Sequence, residues 1–194
     1  MRSDYLYDQE ADELIAALPY EYRNIVLAAV ETGFRIGDLC RAPMWAYDIK
    51  ENTITLREEK TGKYRTAYVT PRLRVAILGE SEKRAGGFAL QTYLFERERG
   101  VGVSRSTIWR WVTRTWERLH KGSGRKITPH SFRKLYAVNL RQKGRSLEDI
   151  RRDLNHERIE TTCIYAFADL LHEAEIEKIS GRYTLTDKMP SDQI

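Results

Sequence analysis

Cysteine is nearly absent: Cys40 and Cys163 are the two in 194 residues, too few for the disulfide framework that holds small secreted domains together. Neither lies at a metal-ligand spacing from a His or a second Cys, so both are expected as buried free thiols and no zinc site is expected. Long apolar runs are missing too. Nothing approaches the ~18 apolar residues of a membrane span, mean hydropathy is −0.58, and the first twenty residues carry acids where a signal peptide would carry its apolar segment. There is no P-loop, no acidic cluster suited to a divalent ion, no internal repeat and no low-complexity tract. The expectation is a cytoplasmic protein with no membrane partner and no metal or other cofactor, long enough to bury one core.

Charge is modest in total and uneven in distribution. The net value is +5, yet residues 1–100 carry 15 basic and 16 acidic side chains, residues 101–152 carry 14 and 3, and residues 153–194 carry 4 and 9. Like charges packed so densely repel unless something anionic offsets them. Binding a polyanion does so and releases condensed counterions, which favours nucleic acid over a merely solvated helical face.

Apolar spacing predicts helices over 8–18 and 20–32, the first ended by Pro19 and the second by Gly33, which suits a left-handed cap. A short helix over 36–41 must stop near Pro43. Two β-branched and aromatic runs, 52–58 and 64–70, flank Lys60-Thr61-Gly62-Lys63 and read as a hairpin. Further helices are predicted over 72–84, 105–121, 129–144 and 146–154, and over 158–180 in two pieces. The 105–121 segment places Trp109, Val112, Trp116 and Leu119 on one stripe and Arg110, Arg114 and Arg118 on another. Thr128-Pro129 supplies an N-cap and a first-turn proline, and Ser146 with Asp149 a capping pair. The fold class expected is α+β, mostly α-helical, with helices around a small antiparallel β-sheet. A single domain is expected over 1–180, with a loose C-terminal tail at 181–194.

A polyanion partner directs attention to groups that can act on a phosphodiester. Arg35 follows the Gly33 cap and is placed by backbone geometry. Lys60 sits on a short mobile turn from which it can reach a bound strand. His130 and Arg133, at i and i+3, share a helix face. Asn155 tolerates a left-handed helix end and so presents His156, and Tyr165 follows on the next helix. Each has a plainer reading: Arg35 in a surface pair with Asp38, Lys60 as an ordinary turn lysine, His130 satisfied by its own backbone, His156 as a cap, Tyr165 as a packed aromatic.

Taken in order, the stretches TGFRIGDLC (32–40), EKTGK (59–63), TPHSFRK (128–134) and LNHERIETTCIY (154–165) resemble the motifs of the tyrosine recombinase, or phage integrase, family, in wording similar to lambda-type integrases. The resemblance implies that family's catalytic-domain fold and a site-specific recombinase, a DNA strand transferase needing neither metal nor ATP. In that reaction a tyrosine attacks a phosphodiester of a double-stranded recombination site, leaving a 3′-phosphotyrosine and a free 5′-hydroxyl. The catalytic residues implied are Arg35, Lys60, His130, Arg133, His156 and Tyr165, with Asp38 orienting Arg35; Lys63, Arg65, Arg105, Arg110 and Arg114 are candidates for DNA contact. The residue types fit the chemistry. Planar guanidinium forks suit the nonbridging oxygens, and ionising a tyrosine of pKa near 10 at pH 7 costs about 4 kcal/mol, which calls for a base, with His130 the candidate; the resemblance gives Lys60 the part of acid at the leaving oxygen.

Asn155 stands where relatives usually have Gly, and Lys134 where many have His. The family's N-terminal core-binding domain is absent from this chain, so the expectation is either a catalytic-domain fragment or a naturally short form. Also implied are a monomer in solution and a tetramer in the DNA synaptic complex, within a bacterial cell or phage-infected host, in association with the nucleoid. The tail helix with Leu170, Leu171, Ile176 and Ile179 is expected to link protomers on DNA and to pack on its own domain in solution. Two other readings stay open on the sequence: a type IB topoisomerase-like nicking and rejoining enzyme, and a non-catalytic DNA-binding accessory protein.

Overall fold

Pro19 separates the first two helices, α1 (Asp8–Ala17) and α2 (Tyr20–Thr32), and Gly33 closes the second in the left-handed region at φ 64°. The computed structural model describes residues 3–83, 92–98 and 100–179. Along them follow α3 (Ile36–Cys40), a 3-10 turn at Met44–Ala46, β1 (Tyr47–Asp48), β2 (Thr53–Arg57), β3 (Tyr64–Tyr68), α4 (Pro71–Lys83), β4 (Glu96–Glu98), β5 (Val101–Gly102), α5 (Arg105–Leu119), α6 (Pro129–Gln142), α7 (Leu147–Asp153), α8 (Ile159–Ala166) and α9 (Ala168–Ile179). Strands β1, β2 and β3 form an antiparallel sheet in that order, with Ile54 opposite Ala67 and Leu56 opposite Arg65. The expected hairpin is thus present within a mostly helical α+β fold. Strand β1 and the separate β4–β5 ribbon were not expected, because runs of two or three residues are too short to show alternation. Among the described residues no helix is long and apolar enough to cross a membrane.

Apolar side chains from α1, α2, α4, α5 and the sheet meet in one core that includes Leu14, Ile25, Val26, Phe34, Ile54, Leu73, Ile108, Val112 and Trp116. A smaller cluster, Ala137, Ile150, Leu154 and Ala166, lies between α6, α7 and α8, with Tyr136, Tyr165 and Phe167 packed against it. Helix α6 serves both, turning Phe132, Leu135 and Val138 to the first and Ala137 to the second. On α5 the buried stripe is Ile108, Val112, Thr115 and Trp116. Ile108, four residues before Val112, continues that stripe, so Trp109 lies off it and stands 46 % exposed beside Arg110, contrary to the expectation. Cys40 is buried as expected, whereas Cys163 is half-buried.

The chain ahead of α1 fastens the start of α6. Asp4 N–H donates to Lys126 O at 3.0 Å, Lys126 N–H donates to the Asp4 carboxylate at 2.5 Å, Ser131 Oγ donates to Asp4 O at 2.8 Å, and Lys134 Nζ donates to Ser3 O. Helix α9 packs on its own domain: Arg141 pairs with Asp169 at 2.6 Å, and His172 lies against Tyr5 and Tyr7. The side chains of Ile176 and Ile179, and the expected tail at 181–194, lie outside the described residues.

A Cβ on Gly33 would stand 2.3 Å from Tyr136 Cδ1, on a backbone that non-glycine residues adopt only under strain. Gly33→Ala is expected to lower the unfolding free energy by about 2–4 kcal/mol, read as a drop in urea midpoint at unchanged m-value.

Candidate active site

Helix α2 ends at Thr32 and α7 at Asp153, and a helix end leaves its last carbonyls without partners in the helix. Two arginines from other elements take them up. Arg65 of β3 donates to Thr32 O at 2.5 Å and to Asp153 O, with Asp153 Oδ1 at 3.5 Å and the Phe34 ring centroid 4.4 Å away. Arg133 of α6 donates to Gly33 O at 2.7 Å and to Leu154 O. The C-terminal end of a helix is the negative end of its dipole, so each cation meets partial charge of the right sign. This corrects the expectation for Arg65 as a DNA contact. Alternation on β3 turns Arg65 and Ala67 inward, and Arg65 is buried against the two helix ends and, unlike Arg133, does not line the cleft that holds Tyr165, so it is a structural cation.

The same alternation on the hairpin's other arm carries Ile54, Leu56 and then Glu58 inward. Glu58, fully buried, places Oε1 2.6 Å from Arg35 Nη1 and 3.5 Å from Arg133 Nη1. Burial pushes its pKa up, but Arg35 and Arg133 more than offset this, and the carboxyl sits below its ordinary range. Arg133 is lowered to about 10, first by burial and then by the neighbouring Arg35 and Arg65, against the opposing pull of Glu58 and Tyr165. Asp38 was expected to orient Arg35. Its Oδ1 instead accepts from Glu59 N–H at 3.1 Å and from Arg41 Nη2 at 2.9 Å, so the carboxylate that holds Arg35 is Glu58, and Asp38 fixes the approach to the Lys60 turn. Burial, then the Glu58 charge, raises the Asp38 pKa despite the opposing Glu59 N–H and arginines.

A cleft of about 500 Å³ opens over these groups. Its lining includes Arg35, Asp38, Lys60, Arg105, His130, Arg133, His156, Thr161 and Tyr165, so the six residues singled out as catalytic meet in one place from separate elements. Arg35 stands at the N-terminus of α3, Lys60 on the β2–β3 turn, His130 and Arg133 on α6, His156 between α7 and α8, and Tyr165 on α8. Asn155 takes the left-handed conformation at φ 48°, as its role in presenting His156 requires. His156 is buried, with Nδ1 3.1 Å from Thr162 Oγ1 and its ring edge-on to Tyr165 at 5.1 Å between centroids. Burial, then Arg133 and Arg35, lower its pKa to about 3. The His130 pKa is also lowered, by partial burial and then by Arg133, Arg35, Arg105 and Lys134. Both imidazoles are therefore neutral at pH 7.

The turn bearing Lys60 is tied down more firmly than expected. Glu58 N–H donates to Lys63 O at 2.9 Å, Gly62 N–H donates to Glu58 O at 2.8 Å, and Thr61 Oγ1 donates to Glu58 Oε2 at 3.1 Å. Lys63 is exposed next to it, and Arg105 lines the cleft. Arg110 and Arg114 line a second cleft of about 720 Å³ with Trp109, Lys121 and Arg125, and a hollow bounded by Arg105, Trp109 and His130 lies between the two. The sequence reading missed Glu58, Thr162 and the inward role of Arg65. For Glu58 a signal existed: an acid continuing the inward alternation of Ile54 and Leu56 must find a buried partner.

The site thus joins two guanidiniums able to grip an oxyanion, an ammonium that can donate a proton, two neutral imidazoles and a phenol. The chain matches the phage integrase family over residues 4–171. It is similar to tyrosine recombinase XerA of Pyrococcus furiosus, 28% identical over 176 residues that make up 88% of this chain and 59% of the relative. A crystal structure of XerA recombinase superimposes with a TM-score of 0.72 at 26% identity, over 95% of this chain and 67% of that one. A lambda integrase dimer bound to a COC′ core site shares the fold, with a TM-score of 0.66 at 20% identity over 86% of this chain and 48% of that one. The chain spans about half the length of the curated relatives it matches, with 59%, 53% and 45% of three of them covered.

Because the folded pKa of His156 lies below its unfolded value, the folded state binds fewer protons between about pH 3 and 6.5, and stability falls as pH drops through that window. Between pH 7 and 5 the native protein is expected to lose up to about 2 kcal/mol more than His156→Gln, measured by urea unfolding at each pH.

Proposed function

The chain belongs to the phage integrase family, and on that footing we propose that it is the catalytic domain of a site-specific DNA recombinase, spanning residues 1–180, that cleaves and rejoins strands of a double-stranded recombination site through a 3′-phosphotyrosine. The observation that carries the reading is the convergence of Arg35, Lys60, His130, Arg133, His156 and Tyr165 on one cleft.

Each group has a task that its surroundings suit. Arg35 and Arg133 hold the nonbridging oxygens of the scissile phosphate, where charge grows as the tyrosine adds. Neutral His130 takes the proton from Tyr165 Oη as it attacks phosphorus. Lys60 protonates the departing 5′-oxygen, which is otherwise a poor leaving group. His156 donates Nε2–H to a phosphate oxygen in the tautomer whose Nδ1 accepts from Thr162 Oγ1. The covalent phosphotyrosine keeps the bond energy for rejoining, when the free 5′-hydroxyl attacks and the steps run in reverse. Duplex on either side is held by Lys63, Arg105, Arg110 and Arg114 along the turn and the α5 face. Four protomers assemble on paired sites, and α9 exchanges its docking between them.

Incubated with nicked suicide duplexes carrying candidate sites, the protein is expected to give a covalent protein–DNA band on a denaturing gel. Tyr165→Phe should abolish the band, and Arg133→Lys should slow its formation by about 100-fold or more. A band surviving in Tyr165→Phe would refute the nucleophile. Relaxation of supercoiled plasmid without site preference would point to topoisomerase-like action, and cognate binding without a band to an accessory role. In noncovalent binding, Arg110→Gln combined with Arg114→Gln should reduce the slope of log K against log salt by about 2.

A further inference from the structure

A buried carboxylate is costly to keep ionised unless its surroundings use the charge, and Glu58 has surroundings on both sides. One oxygen faces the arginines, at 2.6 Å from Arg35 and 3.5 Å from Arg133. The other accepts from Thr61 Oγ1 at 3.1 Å, next to Lys60. The main chain of Glu58 closes the same turn through Lys63 O and Gly62 N–H. A second tie runs parallel to the first: Asp38 accepts from Glu59 N–H at 3.1 Å, and Arg41 bridges Asp38 at 2.9 Å and Glu59 at 2.8 Å.

We propose that Glu58 is a positioning residue that latches the lysine-bearing turn to the Arg35–Arg133 pair, so that the proton donor and the oxyanion grip keep one fixed register. The two oxygens belong to one planar group, so a shift at the arginines is transmitted to Thr61, and the reverse. The latch has a clear use in the proposed reaction, and only that use rests on the functional reading. An in-line displacement needs the proton donor fixed relative to the phosphate, and the arginines are what fix the phosphate. Glu58 also supplies counter-charge to two adjacent guanidiniums before any phosphate arrives.

Two variants and two readouts test this. In native-state hydrogen exchange without DNA, Thr61→Val and Glu58→Gln are expected to speed exchange of the amides of residues 59–62 by about tenfold, the Lys63 amide being set aside because it donates to Thr61 Oγ1 itself, while Thr61→Val leaves the amides of α2 unchanged. Unaltered exchange at the turn in both variants overturns the latch. In single-turnover cleavage, Thr61→Val should fall about tenfold on ordinary DNA and return to near the native rate when sulfur replaces the bridging 5′-oxygen, because a thiolate leaves without a proton from Lys60. Glu58→Gln, which also loosens the arginines, should recover only in part. Equal losses of Thr61→Val on oxygen and sulfur substrates would refute the link to Lys60. If the native chain forms no covalent adduct, the proposed function fails, and the exchange result still decides whether the latch exists.

Discussion

Three guanidiniums, those of Arg35, Arg65 and Arg133, lie close enough that the charges of Arg35 and Arg65 help to lower the Arg133 pKa, and left to themselves they would drive the site apart. Insertion of two of them between the ends of α2 and α7 prevents this. Thr32 and Gly33 offer carbonyls from one helix, Asp153 and Leu154 from the other, and each arginine spans the gap from one set to the other. Orphan acceptors and buried cations, each unfavourable alone, satisfy one another. The pairing sets the spacing between helices that are far apart in sequence, and with it the places of the Arg35 and His156 segments that follow those helices.

Most of the fold was legible because its helices announce their ends. Pro19, Gly33, Thr128-Pro129 and Ser146 act through backbone conformation and local hydrogen bonds, which a neighbouring stretch of sequence contains in full. The misreadings came where local information was thin. Two- and three-residue strands carry no period, and on α5 Ile108 and Trp109 are adjacent apolar residues at i−4 and i−3 from Val112, so spacing alone does not choose which of them is buried.

The site was legible in a different way. Arg35, Lys60, His130, Arg133, His156 and Tyr165 could be named from motif and order because each carries a functional group on a recognisable stretch. What holds them could not. Arg65 looks like any basic residue of a hairpin until the partner strand and both helix ends are in place, and Glu58 and Asp38 differ in role only through which oxygen meets which donor across more than twenty residues of chain. Asp38 is three residues from Arg35 along the chain, yet the carboxylate that pairs with Arg35 is Glu58, the residue that follows β2.

The acceptors at the two helix ends are main-chain oxygens, which every amino acid possesses. Replacing Thr32, Asp153 or Leu154 changes a side chain and leaves the acceptor in place, provided the helix stops at the same residue. What the cage does demand is a residue at ease with positive φ at positions 33 and 155. Its geometry is therefore written in where helices stop more than in which residues compose them, and a lineage can replace many of its letters without losing the architecture that grips the arginines.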